Sequence, residues 1–341
     1  MTKTLEKRKR GRLSGAQAVG GSSRAEILNN ENYAKILREK YKKLAKKISS
    51  MSVEKSTFSE YKRRWKKFKL FATNCKLSPL PAGRRLIAYF MAHLANLKFK
   101  SSTIKGYLAA ISFFHKKSNF SNPCSSPAVN LMAKGIDKIN CKKFVRKPIK
   151  QILLNKILNV VEKLFSCYDA SLLKAIISLQ FHGCMRIGEV VKGKSSKHTL
   201  KLRQVSISDT IKVKFESYKF SKDRKETLII NPMEKLKSMC PVRLLRSYLE
   251  KRPNKDKNSP IFLEQNGQAV KRSRVAAALK TALQELGLNP CHYNTHSLRS
   301  GKATQLHLDR FSDETIQKFG RWRSSAFKTY IKTSKLSIPA S

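Results

Sequence analysis

The sequence predicts a mainly α-helical fold with a small β-sheet, an α+β class, in which every segment is basic. Apolar residues recur at helical spacing over most of the 341 residues. Beyond residue 200, short runs of β-branched residues between polar turns interrupt the helices. The 72 Lys and Arg outnumber the 22 Asp and Glu, which gives a formal net charge of +50. Such a chain repels itself unless it meets a polyanion.

The charge excess indicates nucleic acid as the partner, with an anionic membrane surface as the alternative. No run of about 18 apolar residues is present, so no membrane span is predicted. The basic start of the chain has no apolar stretch behind it and is not typical of a secretory signal. Seven cysteines without a CxxC pair indicate reduced thiols in an intracellular compartment.

Residues 1–50 are predicted to form a basic N-terminal arm, partly disordered and then helical from Arg24 to Lys47. Its basic tetrad at residues 7–10 is interpreted as a nuclear-import signal or a phosphate-binding arm. A solvated tail is the alternative interpretation of the same residues.

Residues 51–140 are predicted to be an all-helical unit, with one helix capped by Ser56, a second around residues 86–97 and a third from Thr103. Its helices carry many basic side chains, and those predicted to contact DNA phosphates are Lys62, Arg63, Lys66, Lys67, Lys69 and Lys105. The alternative is a helical bundle with an ordinary charged surface. The 22 basic against 3 acidic side chains of residues 51–150 favour the DNA clamp.

Residues 141–150 are predicted to be a basic linker, in which Lys142, Lys143 and Arg146 are further candidates for DNA contact. Residues 151–341 are predicted to mix helices with short strands. The predicted helices cover residues 151–165, 171–182, 241–251, 273–286, 297–308, 312–319 and 324–332, and the predicted strands cover 201–207, 211–215 and 227–230.

Cleavage of DNA without a metal ion needs cations that meet the negative charge developing on the phosphate oxygens. Two guanidiniums serve well, because each is a planar fork of donors that stays protonated. A nucleophile and a proton donor for the departing oxygen complete the requirement. Arg186 after a helix end, the pair His296 and Arg299 at a helix start, and Tyr330 near the end are candidates, although each alone is a weak signal.

Taken in order, these residues resemble the catalytic domain of the tyrosine recombinase (phage integrase) family. The first arginine motif is similar to residues 186–189 (RIGE), the second box to residues 296–299 (HSLR), and the last box to residues 319–330 (FGRWRSSAFKTY). The resemblance covers about residues 50–335. It implies a helical, SAM-like core-binding domain at residues 51–140, followed by a tyrosine-recombinase catalytic domain at residues 151–341.

The resemblance also implies roles for individual residues. Arg186 and Arg299 would hold the scissile phosphate, and His296 would hydrogen-bond it and help to move a proton. Tyr330 would attack the phosphorus and leave a 3′-phosphotyrosine bond. Lys222, which fits the place of the family's hairpin lysine, would protonate the leaving 5′-oxygen.

Supporting positions follow from the same resemblance. Glu189 is expected to orient Arg186 or His296 rather than to act on the substrate. Lys219 competes with Lys222 for the role of the acid. The family usually has His or Trp nine residues before the tyrosine, whereas this sequence has Arg321 there, with Trp322 next.

That departure leaves two interpretations open. Arg321 supplies a third phosphate donor, or Trp322 supports the tyrosine helix. A Gly-Arg-Trp box of this kind is similar to recombinases of the Crypton and DIRS-type mobile elements.

The resemblance implies double-stranded DNA as the partner, a homotetramer that pairs two sites, no metal ion, no ATP and no other cofactor. A nuclear location in a eukaryotic host is expected. Two alternatives remain: a domesticated DNA-binding protein that has lost the chemistry, and a type IB topoisomerase. A metal site formed by Cys291, His292 and His296 is disfavoured, because no fourth ligand has suitable spacing.

Overall fold

Helices make up most of the structure and one small antiparallel sheet completes it, which confirms the predicted fold class. The computed structural model describes residues 24–139, 146–193, 198–218, 225–234 and 236–332. The chain divides into two compact units, Met1–Cys141 and Lys142–Ser341. No helix in these described ranges is both long and apolar enough to cross a bilayer.

The helices of the first unit are α1 (Arg24–Ser50), α2 (Lys55–Asn74), α3 (Arg84–Asn96), α4 (Ser101–Lys117) and α5 (Pro127–Ile139). Helices α2 to α5 bury an aromatic core in which the ring of Phe90 lies 5.1 Å from Phe68 and 5.5 Å from Tyr107, centroid to centroid. Helix α2 begins one residue before Ser56, so the predicted Ser56 cap is wrong. Glu54, in an extended conformation, is the N-cap.

Helix α1 forms where its apolar spacing predicted a helix. Its apolar side chains Tyr33, Ile36 and Tyr41 nevertheless remain exposed. The helical spacing is therefore not explained by burial against the rest of the described unit.

The helices of the second unit are α6 (Gln151–Leu164), α7 (Cys167–His182), α8 (Ile187–Val190), α9 (Pro241–Lys251), α10 (Arg272–Glu285), α11 (Thr295–Leu308) and α12 (Asp313–Phe319). Its strands are β1 (Val205–Ile207), β2 (Ile211–Phe215) and β3 (Glu226–Ile230). Helix α7 lies at the centre, in contact with α6, α9, α10 and α11. From Leu172 to His182 every residue except Lys174 is buried, so apolar side chains lie all round this part of the helix rather than on one face.

The three strands pair in the order β1-β2-β3, all antiparallel. In β2 the side chains of Ile211, Val213 and Phe215 face the core and the lysines between them face outward. The predicted strand at residues 201–207 is shorter, because its first half is a 3₁₀ turn at Leu202–Gln204. The Gln204 side chain holds this turn by bonding the Lys201 N–H and the Lys214 carbonyl.

The last segment also departs from the prediction. A helix was expected at residues 324–332, but Ser325–Thr329 is a 3₁₀ helix and Tyr330 follows it as the C-cap. The hydroxyls of Ser300 and Thr304 on α11 donate to the Tyr330 carbonyl, and the Lys332 N–H donates back to Thr304 Oγ1. These bonds to α11 replace the helical bonds that would have continued the last segment.

The end of the predicted linker is attached to helix α11 of the second unit. The Ile149 N–H donates to the Ser297 carbonyl at 3.0 Å. A Cβ atom on Gly301 would lie 1.8 Å from the Ile149 carbonyl oxygen, so only glycine permits this approach of the linker to α11.

His182, at the end of α7, makes the stability of the second unit sensitive to acid. Burial lowers its pKa to about 3, whereas an unfolded chain has the ordinary value of about 6.5. Below pH 6.5 the imidazole is therefore protonated in the unfolded state but neutral in the folded state. The free energy of unfolding decreases as the pH is lowered. At pH 5 the expected loss is about 2 kcal/mol relative to pH 7.5.

Urea unfolding at pH 7.5 and 5.0 should show this loss in the parent chain and a loss about 2 kcal/mol smaller in His182→Leu. The exposed His307 provides the control, since His307→Gln should behave like the parent. An equal pH effect in all three proteins would contradict the assignment to His182.

Candidate active site

The first arginine lies just beyond the end of the central helix, as predicted. Helix α7 ends at His182 with Gly183 as its C-cap, and Cys184 then adopts a left-handed conformation with φ 46°. Arg186 follows as the N-cap of the short helix α8. The sharp turn is what brings the Arg186 side chain out of the core and into a surface cleft.

Glu189 fixes Arg186 by two bonds. Its Oε2 accepts the Arg186 backbone N–H and its Oε1 accepts Nη1 of the same residue, both at 2.9 Å. Glu189 Oε2 also accepts Nη2 of Arg321 at 2.9 Å, from 132 residues further along the chain. One carboxylate therefore joins two guanidiniums.

This carboxylate is ionised despite its burial. Only 2% of the Glu189 side chain is exposed, and burial by itself raises the pKa of a carboxyl group. The charges of Arg321 and Arg186 outweigh the effect of burial and hold the pKa of Glu189 below its ordinary value. The site thus contains a buried anion whose charge is shared between two cations.

Arg299 lies on α11 and is completely buried. Its two amino groups donate to the backbone carbonyls of Cys184 and Gly320. Its Cζ lies 4.0 Å from the centroid of the Trp322 ring, and burial lowers its pKa to about 10. Arg299 therefore links the turn after α7 to the segment that leads to Tyr330.

His296, one helical turn before Arg299, lies beside Tyr330. The two ring centroids are 6.5 Å apart. Burial, together with the positive charges of Arg272 and Arg299, lowers the pKa of His296, so its imidazole is unprotonated at neutral pH. Its side chain can therefore accept a proton.

Tyr330 is held from two sides. Its backbone carbonyl is bonded to α11 by Ser300 and Thr304. Its ring packs against Trp322, with centroids 5.1 Å apart. These contacts fix the position of the ring near His296.

Two clefts meet at His296 and Tyr330. The larger, about 790 Å³, is also lined by the basic or imidazole side chains of Arg186, Lys192, His198, Lys271 and Arg272. The smaller, about 210 Å³, is also lined by Arg146, Lys147 and Lys332. The acidic residue in the lining, Glu189, is already bonded to two arginines. The phenol therefore lies in a continuous positive field suited to an anion.

The family model for the phage integrases matches residues 149–335, which is more than half of the chain. This chain belongs to the phage integrase family. The match includes every candidate catalytic residue, from Arg186 to Tyr330.

Solved structures of tyrosine recombinases share the fold of this integrase-family chain at low sequence identity. A λ integrase dimer bound to a COC′ core site matches with a TM-score of 0.57 and 16% identity, over 88% of this chain and 97% of that one. The Tn1549 transposon integrase in complex with transposon right end DNA matches with a TM-score of 0.58 and 12% identity, over 85% and 93%.

The XerH site-specific recombinase, in a post-cleavage complex with palindromic difH substrate, matches with a TM-score of 0.55 and 16% identity, over 79% of this chain and 73% of that one. At such identities the likeness shows the fold alone. No curated protein sequence is significantly similar to this one.

The structure brings most of the predicted catalytic residues of this chain together. Arg186, His296 and Tyr330 line the larger cleft. Arg299 lies behind it, as does Arg321, whose side chain is 2% exposed. Lys222 and its competitor Lys219 lie outside the described residues, between the ends of the β2 and β3 hairpin strands.

The predicted DNA-contacting residues are distributed between the two units. On α2, Lys62, Arg63, Lys66, Lys67 and Lys69 are all exposed. On α4, Lys105 is exposed but paired with Asp137 at 2.7 Å. Arg146 lines the smaller cleft beside Tyr330, and Lys142 and Lys143 lie outside the described residues.

Sequence reasoning missed Lys192, His198, Lys271 and Arg272 in the lining of the larger cleft. A parallel bridge between Lys192 and Lys271 places the basic start of α10 beside the end of α8. The basic run at residues 271–274 (KRSR) was the available signal. Within the described residues, no three His, Cys, Asp or Glu side chains are grouped closely enough to hold a metal ion.

Replacing Glu189 by Gln should strongly destabilise the second unit. The variant retains the shape of the side chain but leaves the buried Arg321 without a counter-charge, and breaking a buried pair costs about 3–5 kcal/mol. Urea unfolding followed by circular dichroism measures the loss. The exposed pair of Glu314 with Lys318 gives the matched control, since Glu314→Gln should change the unfolding midpoint little. Equal effects would contradict the role of the buried carboxylate.

Proposed function

We propose that this protein is a site-specific DNA recombinase that cleaves and rejoins DNA through a 3′-phosphotyrosine intermediate, without metal ion or ATP. The observation that carries the proposal is the position of Tyr330 beside the unprotonated His296, at the meeting of two clefts lined by cations. A phenol in that setting is a nucleophile for a phosphodiester. Membership of the phage integrase family supports the same conclusion.

In the proposed step, the Tyr330 oxygen bonds to the phosphorus while the bond from phosphorus to the 5′-oxygen breaks. His296 accepts the phenolic proton and Lys222 protonates the departing 5′-oxygen. Arg186, exposed to the larger cleft, stabilises the charge on the non-bridging oxygens. Attack by another 5′-hydroxyl reverses the step, since the phosphotyrosine bond conserves the energy of the original phosphodiester.

Arg299 has a distinct place in this proposal. Its guanidinium is fully buried and bonded to two carbonyls, so in this structure it supports Arg186 and Tyr330 from behind. The direct contact with phosphate implied by the family resemblance stays a prediction.

The proposed substrate is double-stranded DNA, and the proposed assembly is a homotetramer that pairs two sites. The DNA-bound dimer and tetramer of λ integrase are structures of similar fold, and the charge of +50 suits an extended polyanion. An origin in a eukaryotic mobile element of the Crypton or DIRS type is part of the proposal and rests on the Gly-Arg-Trp box alone. The proposed nuclear location rests on that origin and on the basic tetrad at residues 7–10, which lies outside the described residues.

Covalent trapping tests the chemistry. The protein is incubated without metal or ATP with a randomised pool of duplexes that are nicked so that cleaved strands cannot be rejoined. A protease-sensitive 3′-linked adduct should form with the parent chain and with Tyr293→Phe, and should be absent from Tyr330→Phe. Sequencing the trapped strands then identifies the recognition site.

The other outcomes separate the alternatives. Tight binding with no adduct would favour a DNA-binding protein that has lost the chemistry. An adduct accompanied by relaxation of a plasmid without the recognition site would favour a topoisomerase. An adduct that persists in Tyr330→Phe would show that the nucleophile has been assigned wrongly.

The salt dependence of binding tests the contribution of the first unit. If exposed lysines of α2 contact phosphates, each one neutralised should reduce the slope of log K against log salt by about 0.9. We expect this for Lys62→Gln and for Lys66→Gln. Lys318→Gln, which removes an exposed lysine already paired with Glu314, is the control and should leave the slope unchanged. Slopes unchanged in the α2 variants would place the DNA elsewhere.

A further inference from the structure

Arg321 occupies the position where the family usually has His or Trp, yet its side chain does not reach the cleft. It is 2% exposed, its Nη2 lies 2.9 Å from Glu189 Oε2, and its Cζ lies 4.2 Å from the centroid of the Phe215 ring. A guanidinium enclosed in this way cannot touch the scissile phosphate. Whatever it contributes must pass through the groups that it contacts.

The backbone conformation at Arg321 explains why Arg321 and Trp322 contact different parts of the site. Arg321 has φ 54°, in the left-handed region that non-glycine residues seldom adopt. With this turn the Arg321 side chain lies on Glu189, while the Trp322 ring packs against the Arg299 guanidinium and the Tyr330 ring. Trp322 therefore packs against Tyr330, the proposed nucleophile, whereas Arg321 does not contact it and must act in another way.

Glu189 is the group through which Arg321 can act. Both carboxylate oxygens are used: Oε1 by the Arg186 side chain, and Oε2 by the Arg186 backbone N–H and by Arg321. Bonds from two sides fix the plane of the carboxylate. The Arg186 guanidinium, which binds that carboxylate through one amino group, thereby has a defined direction into the cleft.

The charges lead to the same conclusion. Arg186 and Glu189 alone would form a neutral pair, which is a poor site for a dianionic transition state. With Arg321 the trio has a net charge of +1, and the carboxylate divides its attraction between two guanidiniums. More of the charge of Arg186 then remains for a phosphate in the cleft.

We propose that Arg321 is a positioning residue that, through Glu189, keeps the charge and the orientation of Arg186 available for the scissile phosphate. The inference rests on the proposed function, because it assigns a part in that same reaction. It differs from a direct phosphate contact, which the burial of the Arg321 guanidinium excludes. It also differs from a purely structural ion pair, and one substrate contrast separates it from that alternative.

The experiment uses the duplex recovered by covalent trapping in two forms. One carries the natural phosphodiester at the cleavage position, and the other carries a methylphosphonate, in which a methyl group replaces a charged non-bridging oxygen. The rate of adduct formation is measured on both for the full chain and for Arg321→Gln. Because one preparation is used on both substrates, any misfolded fraction cancels in the ratio of the two rates.

For Arg321→Gln we expect the rate on the phosphodiester to fall about 10- to 100-fold, the effect of one charge-assisted hydrogen bond. On the methylphosphonate the fall should be under about 3-fold, because little charge remains for Arg186 to stabilise. Arg186→Gln should show the same selectivity. Trp322→Leu, which alters the packing of Tyr330, should slow both substrates equally.

If the Arg321→Gln variant does not fold, Arg321→Lys, which retains the buried charge, replaces it in the same rate comparison. It should show a smaller loss with the same preference for the neutral substrate. Equal losses on both substrates, or no loss on either, would overturn the proposal while leaving the recombinase function intact. Failure of the unaltered chain to form any adduct would instead overturn the proposed function.

Discussion

The buried carboxylate of Glu189, shared by Arg186 and Arg321, is the interaction on which the site depends. An isolated carboxylate in a nearly dry interior would take up a proton, and two isolated guanidiniums there would repel each other. When Glu189, Arg186 and Arg321 are bonded together, their mutual attraction offsets the desolvation cost of burying each charge. Since Arg321 comes from the last segment and Arg186 follows the central helix, the same trio joins these two parts of the second unit next to Tyr330.

Arg299 is a second constraint of a different kind. It has no carboxylate partner in the described contacts; two backbone carbonyls and the face of Trp322 receive its charge. Carbonyl dipoles and an aromatic face stabilise a cation without neutralising it. The positive potential of Arg299 therefore persists in the site, where it contributes to the lowered pKa of His296.

The surroundings of Tyr330 follow from these two constraints. Its segment approaches Tyr330 as a 3₁₀ helix, and the Tyr330 carbonyl is bonded to α11 through Ser300 and Thr304. The ring is then confined between Trp322 and His296. Structures that are only 12–18% identical share this fold, which is consistent with a fold set by packing pattern rather than by particular core residues.

The sequence by itself determined the helices with one apolar face, the alternating strand β2, the helix start at Ser312 and the order of the three motif boxes. These depend on local spacing and capping, which the chain encodes within a few residues. Even so, Ser56 was misread as a cap, because the backbone enters the helix at Glu54.

Only the tertiary structure decided where the charged residues point. The pairing of Glu189 with Arg321 spans 132 residues, and the meeting of Lys192 with Lys271 joins two loops. Arg321 and Trp322 are neighbours in sequence, yet at the left-handed backbone of Arg321 one side chain contacts the buried Glu189 and the other the Tyr330 ring. Such directions depend on long-range burial and charge compensation, which no local pattern in the sequence contains.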